Sequence, residues 1–165
     1  MDVTAPRSSL DLAAALAGLP ILDILPRVAG ALAEGRSLVL EAPPGAGKTT
    51  GVPLALLGAG WLGGRKILML EPRRLATRAA ARRIARLLGE NCGVTGGYRR
   101  RRDTRVGPRT RIEIVTDGVF TRIVQDDPGL DQYGAILFDE IHERRLESDL
   151  GLALALEGRA ALRPD

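Results

Sequence analysis

Residues 41–50 read EAPPGAGKTT and directly follow the short apolar run SLVL at 37–40. We predict a buried strand over 37–42 and a helix over 49–60, so that the glycines and prolines lie in the loop between them. A loop that combines flexible, rigid and cationic residues so closely is typical of a backbone shaped around an anion.

The spacing from Ala42 to Thr49, A-x-x-x-x-G-K-T, is the phosphate-loop pattern with Ala42 in place of the first glycine. Glycines at 45 and 47 let backbone N–H groups turn inward around a phosphate, and the helix that begins near Lys48 adds its positive end. Lys48 would reach the β- and γ-phosphates, and the Thr49 hydroxyl would bind Mg²⁺. The alternative is a glycine-rich turn with an incidental lysine. We predict nucleotide contacts from Pro44, Gly45, Ala46, Gly47, Lys48, Thr49 and Thr50.

Two adjacent acids end another apolar run. The strand predicted over 134–140 finishes in Asp139 and Glu140, which are hard to explain as core residues. Asp139 would hold Mg²⁺ through water, and Glu140 would orient or deprotonate the attacking water, so the predicted metal site is Thr49, Asp139 and Glu140. An acidic pair at a strand end can also be a solvated loop. Its combination with a phosphate loop favours a catalytic role.

The composition describes one domain with an aliphatic core. The chain has 165 residues, of which 45% are hydrophobic and 3% aromatic. Cys92 and His142 are the only residues of their types, so we predict neither a disulfide nor a structural metal, and a reducing cytoplasm. No run approaches the roughly 20 apolar residues that span a bilayer, and no signal peptide is recognisable, so we expect no membrane association.

Strands and helices alternate along the sequence, which predicts an α/β fold with a mainly parallel sheet covered by helices on both faces. Besides the elements around the loop, we predict a polar tail, two N-terminal helices, two further strands and three further helices. They are, in order, the tail 1–9, a helix from Leu10 that stops at Gly18, a helix over 21–34, a strand over 66–71, a helix over 74–90, a strand over 112–116, and helices over 119–125 and 148–162.

Four segments in order resemble the motifs of the DEAH-box (DExH) helicases of superfamily 2, most closely the bacterial HrpB-type ATP-dependent helicases. APPGAGKTT at 42–50 is similar to motif I, EPRRLATRAAARRIA at 71–85 to motif Ia, TDGVFTR at 116–122 to motif Ib, and DEIH at 139–142 to motif II. GGYRRRRD at 96–103 also resembles the family's segment between motifs Ia and Ib. DEIH departs from DEAH only at Ile141.

The resemblance covers residues 19–163 and implies a RecA-like ATP-binding domain over 19–165, preceded by a tail and helix over 1–18. It implies ATP, with other nucleoside triphosphates possible, and Mg²⁺ as cofactors. His142 would couple the nucleotide site to a second motor domain, and the alternative is an ordinary polar residue in a loop. Arg83 would stack on the nucleotide base, although Arg82 is a rival and a solvated helix face is the alternative.

The resemblance also implies a nucleic-acid partner and favours RNA over DNA, although the sequence itself does not distinguish the two. The residues near its sugar-phosphate backbone would be Arg73 or Arg74 of motif Ia, and Thr116 and Asp117 of motif Ib. The net charge of +4, with only two lysines among 24 basic residues, agrees with phosphate binding, although a GC-rich genome also favours arginine. The run Arg99, Arg100 and Arg101 opens a segment of seven arginines and one acid, which predicts contact with phosphates or, alternatively, a solvated hairpin.

In the family the chain continues into a motif III strand with the sequence S-A-T and a second RecA-like domain with a Q-R-x-G-R-x-G-R motif, and neither sequence occurs here. We therefore expect a fold that is incomplete at its C-terminus, a gap between the strands of motifs I and II, and little or no hydrolysis by this chain. The alternatives are a fragment that only binds nucleotide or nucleic acid, and another P-loop ATPase such as a kinase or transport ATPase.

Overall fold

The computed structural model describes residue 14 and residues 16–163. The predicted tail 1–9 and most of the helix predicted from Leu10 lie outside these residues. The helices are α1 (Leu25–Ala33), α2 (Lys48–Leu56), α3 (Arg74–Leu87), α4 (Asp117–Asp126) and α5 (Leu146–Leu162). The strands are β1 (Lys66–Leu70), β2 (Gly96–Arg100), β3 (Asp103–Arg105), β4 (Ile112–Val115) and β5 (Tyr133–Phe138).

The strands form one sheet in the order β3-β2-β4-β1-β5. All neighbours are parallel except β2 and β3, which form an antiparallel hairpin. Short apolar runs such as KILML in β1 read as buried strands because both faces of a parallel sheet are covered. The predicted mainly parallel α/β sheet is confirmed.

Each face of the sheet packs against its own helices. On one face, Ile67 and Met69 of β1 lie in a core with Leu54 of α2 and Ile84 of α3. On the other face, Leu68 and Leu70 of β1 pack with Phe120 of α4, and Leu154 of α5 packs against the same group. The alternation along β1 divides its side chains between the two cores, as the twofold period of a strand requires. Within the described residues, no helix has the length and apolar content to cross a bilayer.

The strand predicted over 37–42 is wrong. These residues have no strand pairing in the structure, and residues 36–39 are exposed to solvent. A cavity of about 640 Å³ separates Leu38 and Val39 from Ala135 and Leu137 of β5. A strand forms only where a neighbour supplies its hydrogen bonds, and β5 pairs only with β1 in the described part of the chain. The expected gap between these two segments is therefore present.

Candidate nucleotide-binding site

The phosphate loop is shaped by its two glycines. Gly45 and Gly47 have left-handed backbone angles, with φ of 79° and 95°. A side chain at Gly47 would place Cβ only 2.9 Å from Leu19 Cδ1, whereas nothing lies within 4 Å of the corresponding position at Gly45. The buried Ala46 anchors the loop, because its carbonyl accepts a 3.0 Å hydrogen bond from the Ile21 N–H. Pro44 and Gly45 face solvent at the outer side of the loop.

The loop leads directly into α2, whose first turn offers unpaired donors. Within residues 16–163, no acceptor lies on the backbone N–H groups of Gly47, Lys48 or Thr49. Such N–H groups at a helix N-terminus, together with the helix dipole, form a ready anion site. Gly51 in α2 has a packing reason, since a Cβ there would lie 2.8 Å from Ile21 Cγ2. Thr50, which was also predicted to contact the nucleotide, is buried in the first turn of α2.

The Lys48 side chain lies over its own loop. Its ammonium group donates hydrogen bonds to the carbonyl oxygen of Ala42 and, at 3.4 Å, to that of Pro43. Three donors on a flexible stem can exchange such acceptors for phosphate oxygens without a change of helix position.

Thr49 and Asp139 bring the two predicted halves of the site together. The Thr49 hydroxyl donates a 2.6 Å hydrogen bond to Oδ2 of Asp139, across 90 residues of sequence. Asp139 is placed by the sheet, because its N–H donates to the Leu70 carbonyl of β1 at 2.9 Å. Its other oxygen, Oδ1, accepts the Glu140 N–H at 3.0 Å. Two of the three residues predicted to bind the metal, Thr49 and Asp139, are therefore in contact beside the phosphate loop.

Glu140 has an unusual backbone conformation, and its carboxylate lies beside two side-chain nitrogen atoms. Its φ of 54° is in the left-handed region, which is unusual for a residue with a side chain. Its Oε1 lies 2.8 Å from Arg73 Nη2, and its Oε2 lies 3.2 Å from His142 Nε2. The imidazole of His142 is 77% exposed. Strain of this kind, at the acid predicted to act on water, agrees with a functional segment.

Glu71 is a member of the site that the sequence interpretation missed. It directly follows β1, is 2% exposed, and accepts a 3.0 Å hydrogen bond from the Arg73 N–H. Burial raises the pKa of its carboxyl to about 7, and the negative charge of Asp139 adds to the increase. An acid at the end of an apolar strand is the same signal that identified Asp139, and it was present in KILMLE.

Of the residues predicted to contact nucleic acid, some are bonded within the protein and others are exposed to solvent. Asp117 is buried, and its carboxylate has partners inside the protein. It accepts a 2.7 Å hydrogen bond from the Ser148 hydroxyl and lies 3.6 Å from Arg145 Nε. Its carboxylate therefore fastens the start of α4 to the start of α5 and does not face solvent. Thr116 ends the preceding loop, and its carbonyl accepts the first N–H bonds of α4. Arg74, at the first position of α3, is exposed.

The arginine run lies on the β2–β3 hairpin, and its first two charges are paired. Arg99 Nε lies 3.3 Å from the fully buried carboxylate of Glu113, and the Arg100 guanidinium binds Asp103. Arg101 lies at the turn of the hairpin and is exposed. The hairpin alternative is correct for the backbone, while contact with nucleic acid remains a prediction. Arg83 is exposed on α3, and its stacking role also remains a prediction.

A glycine-rich loop before a helix N-terminus, with an acidic strand end beside it, defines a P-loop nucleotide-binding domain of the α/β class. The sequence pattern of the DEAD/DEAH box helicase family matches residues 24–151. The chain therefore belongs to the DEAD/DEAH box helicase family.

Sequence identity to three helicases supports this assignment. The chain is 49% identical over 150 residues to the ATP-dependent RNA helicase HrpB of Escherichia coli K12, a match that covers 91% of this chain and 18% of the relative. It is 38% identical to the ATP-dependent RNA helicase HrpA of Borreliella burgdorferi, over 82% of this chain and 16% of that protein. It is 32% identical to the pre-mRNA-splicing factor ATP-dependent RNA helicase prp22 of Schizosaccharomyces pombe, over 96% and 14%.

Solved structures show the same relationship. The crystal structure of the Escherichia coli DEAH/RHA helicase HrpB superposes with a TM-score of 0.85 at 49% identity, covering 90% of this chain and 19% of that one. A second crystal structure, of the E. coli DExH-box NTPase HrpB, gives a TM-score of 0.86 at 48% identity, over 90% and 18%. The RecA-like helicase fold is confirmed, and the chain spans less than a fifth of the length of these relatives.

Proposed function

We propose that this chain is the nucleotide-binding first motor domain, over residues 19–165, of an ATP-dependent RNA helicase of the DEAH type. The observation that carries the proposal is the hydrogen bond from Thr49 to Asp139 beneath a loop with unpaired N–H groups. Residues 1–18 would be a preceding tail and helix. The related helicases of the family, which are described as ATP-dependent RNA helicases, support the substrate class.

The loop would bind the phosphates of ATP or another nucleoside triphosphate. Phosphate oxygens would accept hydrogen bonds from the N–H groups of Gly47, Lys48 and Thr49, and would replace the carbonyls that Lys48 now contacts. Arg83 would stack on the base. A stacked guanidinium recognises little of the base itself, which agrees with the use of several nucleotides.

The donors at Thr49 and Asp139 fit Mg²⁺, which prefers oxygen ligands and keeps several waters. Within the described residues, no cluster of three or more His, Cys, Asp or Glu side chains could bind a metal by itself. The remaining ligands would thus be water and phosphate oxygens, as is usual for nucleotide sites. When bound, Mg²⁺ supplies neutralisation of charge on the β- and γ-phosphates. Thr49 and Asp139 would hold it, with Glu140 nearby.

Glu140 would orient the attacking water or accept its proton, and His142 would transmit the state of the site to a second RecA-like domain. The arginine residues that this second domain contributes in the family are not in this sequence. Arginine fingers are worth roughly 10³ to 10⁵ in rate in related phosphoryl-transfer sites, so we expect this chain alone to hydrolyse ATP very slowly.

RNA would contact the chain through its sugar-phosphate backbone. Arg73, Arg74, Thr116 and the arginine hairpin are the proposed contacts, of which Arg74 and Arg101 are exposed. Backbone contacts are independent of base sequence and weaken as salt rises, because each neutralised phosphate releases counterions. A cytoplasmic location stays a prediction.

The test is a thermal melt with and without Mg²⁺-ATP, for the wild type and for Lys48→Ala. A ligand that binds only the folded state, at a hundredfold its Kd, adds about 2.7 kcal/mol to the free energy of unfolding and raises the midpoint. We expect this rise in the wild type, its loss in Lys48→Ala, and its retention in Arg86→Ala, an exposed arginine near the end of α3. A melt that does not respond to nucleotide would contradict the proposal.

A further inference from the structure

Arg73 joins three carboxylates from two parts of the chain. It directly precedes α3, and its guanidinium lies 2.8 Å from Glu140, 3.5 Å from Glu143 and 3.6 Å from Glu71. The side chain is nevertheless 52% exposed, so part of its donor fork faces solvent. Arg73 was predicted to contact nucleic acid, and in the structure its guanidinium also lies beside the acid predicted to act on water.

The consequence for Glu140 follows from its two oxygens. Oε1 lies 2.8 Å from Arg73 Nη2 and Oε2 lies 3.2 Å from His142 Nε2, so each oxygen has a neighbouring side-chain nitrogen in this conformation. A carboxylate oxygen that already contacts a side-chain nitrogen has fewer lone-pair directions left for a hydrogen bond from water. While these contacts last, Glu140 is poorly placed to orient a water molecule.

A phosphate would compete well for Arg73. The planar guanidinium fork matches phosphate as well as carboxylate, and it can bind either group with two parallel hydrogen bonds. The neighbouring Arg74 is exposed and would add positive charge to the surface that a phosphate meets as it approaches Arg73. Glu140 also has a strained φ of 54°, which favours a second conformation once the ion pair opens.

We propose that Arg73 is a positioning residue that restrains Glu140 in the absence of nucleic acid, and that an RNA backbone phosphate releases Glu140 by taking over the Arg73 guanidinium. The proposal rests on the proposed function and names the contact through which RNA would reach the nucleotide site. The proposal requires the Arg73 guanidinium to have two alternative partners: the carboxylate of Glu140, or a phosphate of the RNA backbone.

Competition of this kind has a reciprocal consequence that can be measured without hydrolysis. If RNA must displace Glu140 from Arg73, then Glu140 weakens RNA binding through Arg73 and through no other route. Glu140→Gln keeps the shape of the side chain and removes its charge, so RNA should bind this variant more tightly. In an Arg73→Gln background the same change should have no such effect.

The experiment is a double-mutant cycle on the full chain, with fluorescence anisotropy of a short fluorescein-labelled oligouridylate at fixed low salt and without nucleotide. We expect Glu140→Gln to bind the RNA about fivefold or more tightly than the wild type, and to give little change when Arg73 is already Gln. Glu147→Gln is the matched control, since Glu147 is an exposed carboxylate at the start of α5. It should leave the affinity nearly unchanged.

The outcomes separate this inference from the proposed function. An equal gain from Glu140→Gln in both backgrounds would mean a general charge effect and would overturn the inference, as would no gain in either. If the RNA binds none of the proteins while the Lys48-dependent response to Mg²⁺-ATP persists, the nucleic-acid role fails together with the inference and nucleotide binding stands. Arg73→Lys replaces Arg73→Gln if that variant does not fold, and we expect a reduced coupling because Lys lacks the fork.

Discussion

Thr49 Oγ1 lies 2.6 Å from Asp139 Oδ2, and this contact connects the first turn of α2 to the end of β5. The two residues belong to different elements, and no other side-chain hydrogen bond between the described residues joins these two segments. The start of α2, which follows the phosphate loop, and the acidic end of β5 are therefore in direct contact.

The Thr49 hydroxyl should be required for the metal dependence of nucleotide binding. Thr49→Val keeps the shape and removes the hydroxyl, so the hydrogen bond to Asp139 is lost, at about 1 kcal/mol of stability. We expect calorimetric titration to show that Mg²⁺ no longer increases the affinity for ATP. Thr49→Ser restores a hydroxyl and should recover most of the effect. An unchanged Mg²⁺ dependence in Thr49→Val would contradict this role.

The two loop glycines should differ in their response to alanine. Both have positive φ, so each alanine variant is strained, but only at Gly47 would the new Cβ meet another atom, Leu19 Cδ1 at 2.9 Å. We expect Gly45→Ala to destabilise the fold by about 1 kcal/mol and Gly47→Ala to destabilise it by more. Urea unfolding of the two variants checks this order. Equal losses of stability would show that Leu19 moves aside.

Glu71 should make stability depend on pH. Its pKa rises from 4.5 to about 7 on folding, so between these values the folded chain holds a proton that the unfolded chain has released. The free energy of unfolding therefore falls as the pH increases through this window and stays lower above it. Glu71→Gln removes the titration and should stabilise the chain by on the order of 1–3 kcal/mol at pH 8, but not at pH 4.

The matched control for this titration is Glu34→Gln, at an exposed acid after α1. Its pH profile gives the background against which the difference between Glu71→Gln and the wild type is compared. If the difference between Glu71→Gln and the wild type were the same at pH 4 and pH 8, the carboxyl of Glu71 would not titrate in this window.

Glu113 should be among the most sensitive positions in the sheet. Its carboxylate is fully buried, lies 2.7 Å from Lys66 Nζ and 3.3 Å from Arg99 Nε, and accepts a 3.0 Å hydrogen bond from the Tyr133 hydroxyl. Glu113→Leu leaves two cations without a partner, and breaking such a buried pair costs about 3–5 kcal/mol. Guanidinium unfolding measures the loss. A loss below about 1 kcal/mol would mean that Lys66 and Arg99 reach water instead.

Arg101 and Arg99 should contribute differently to RNA binding, although they are close in sequence. Arg99 is engaged with Glu113, whereas Arg101 is exposed at the hairpin turn. We expect Arg101→Gln to weaken binding of a labelled oligouridylate and to reduce the slope of log affinity against log salt by about 1. A larger effect from Arg99→Gln than from Arg101→Gln would contradict this assignment.

The sequence was sufficient for the elements whose apolar pattern determines their structure. β1, β4 and β5 begin and end within two residues of the predicted strands, because short and mainly apolar runs fit the interior of a covered parallel sheet. The phosphate loop was also predictable, since its glycines are needed for local backbone angles and not for distant contacts. Thr49 and Asp139, which the two motifs were predicted to bring to one site, are in contact.

The errors concern properties that depend on neighbours. Residues 37–42 have the composition of a strand, but a strand also needs a partner, and the sequence of the segment does not reveal whether one is present. Asp117 and Arg99 looked like surface charges, and only the packing of α5 and the burial of Glu113 show that they are engaged. Glu71 is a single acid after β1, whereas the prediction at β5 relied on a pair of adjacent acids.

The backbone ladder extends one residue beyond the strands that lead into the site. The N–H of Glu71 donates to the Val115 carbonyl at 3.0 Å, and that of Asp139 donates to the Leu70 carbonyl at 2.9 Å. These terminal rungs open first when a sheet frays, so the hydrogen exchange of these two amides reports local opening of the site, separately from global unfolding. A ligand that bridges Thr49 and Asp139 would slow exchange at the Asp139 amide, even where it leaves the rest of the sheet unchanged.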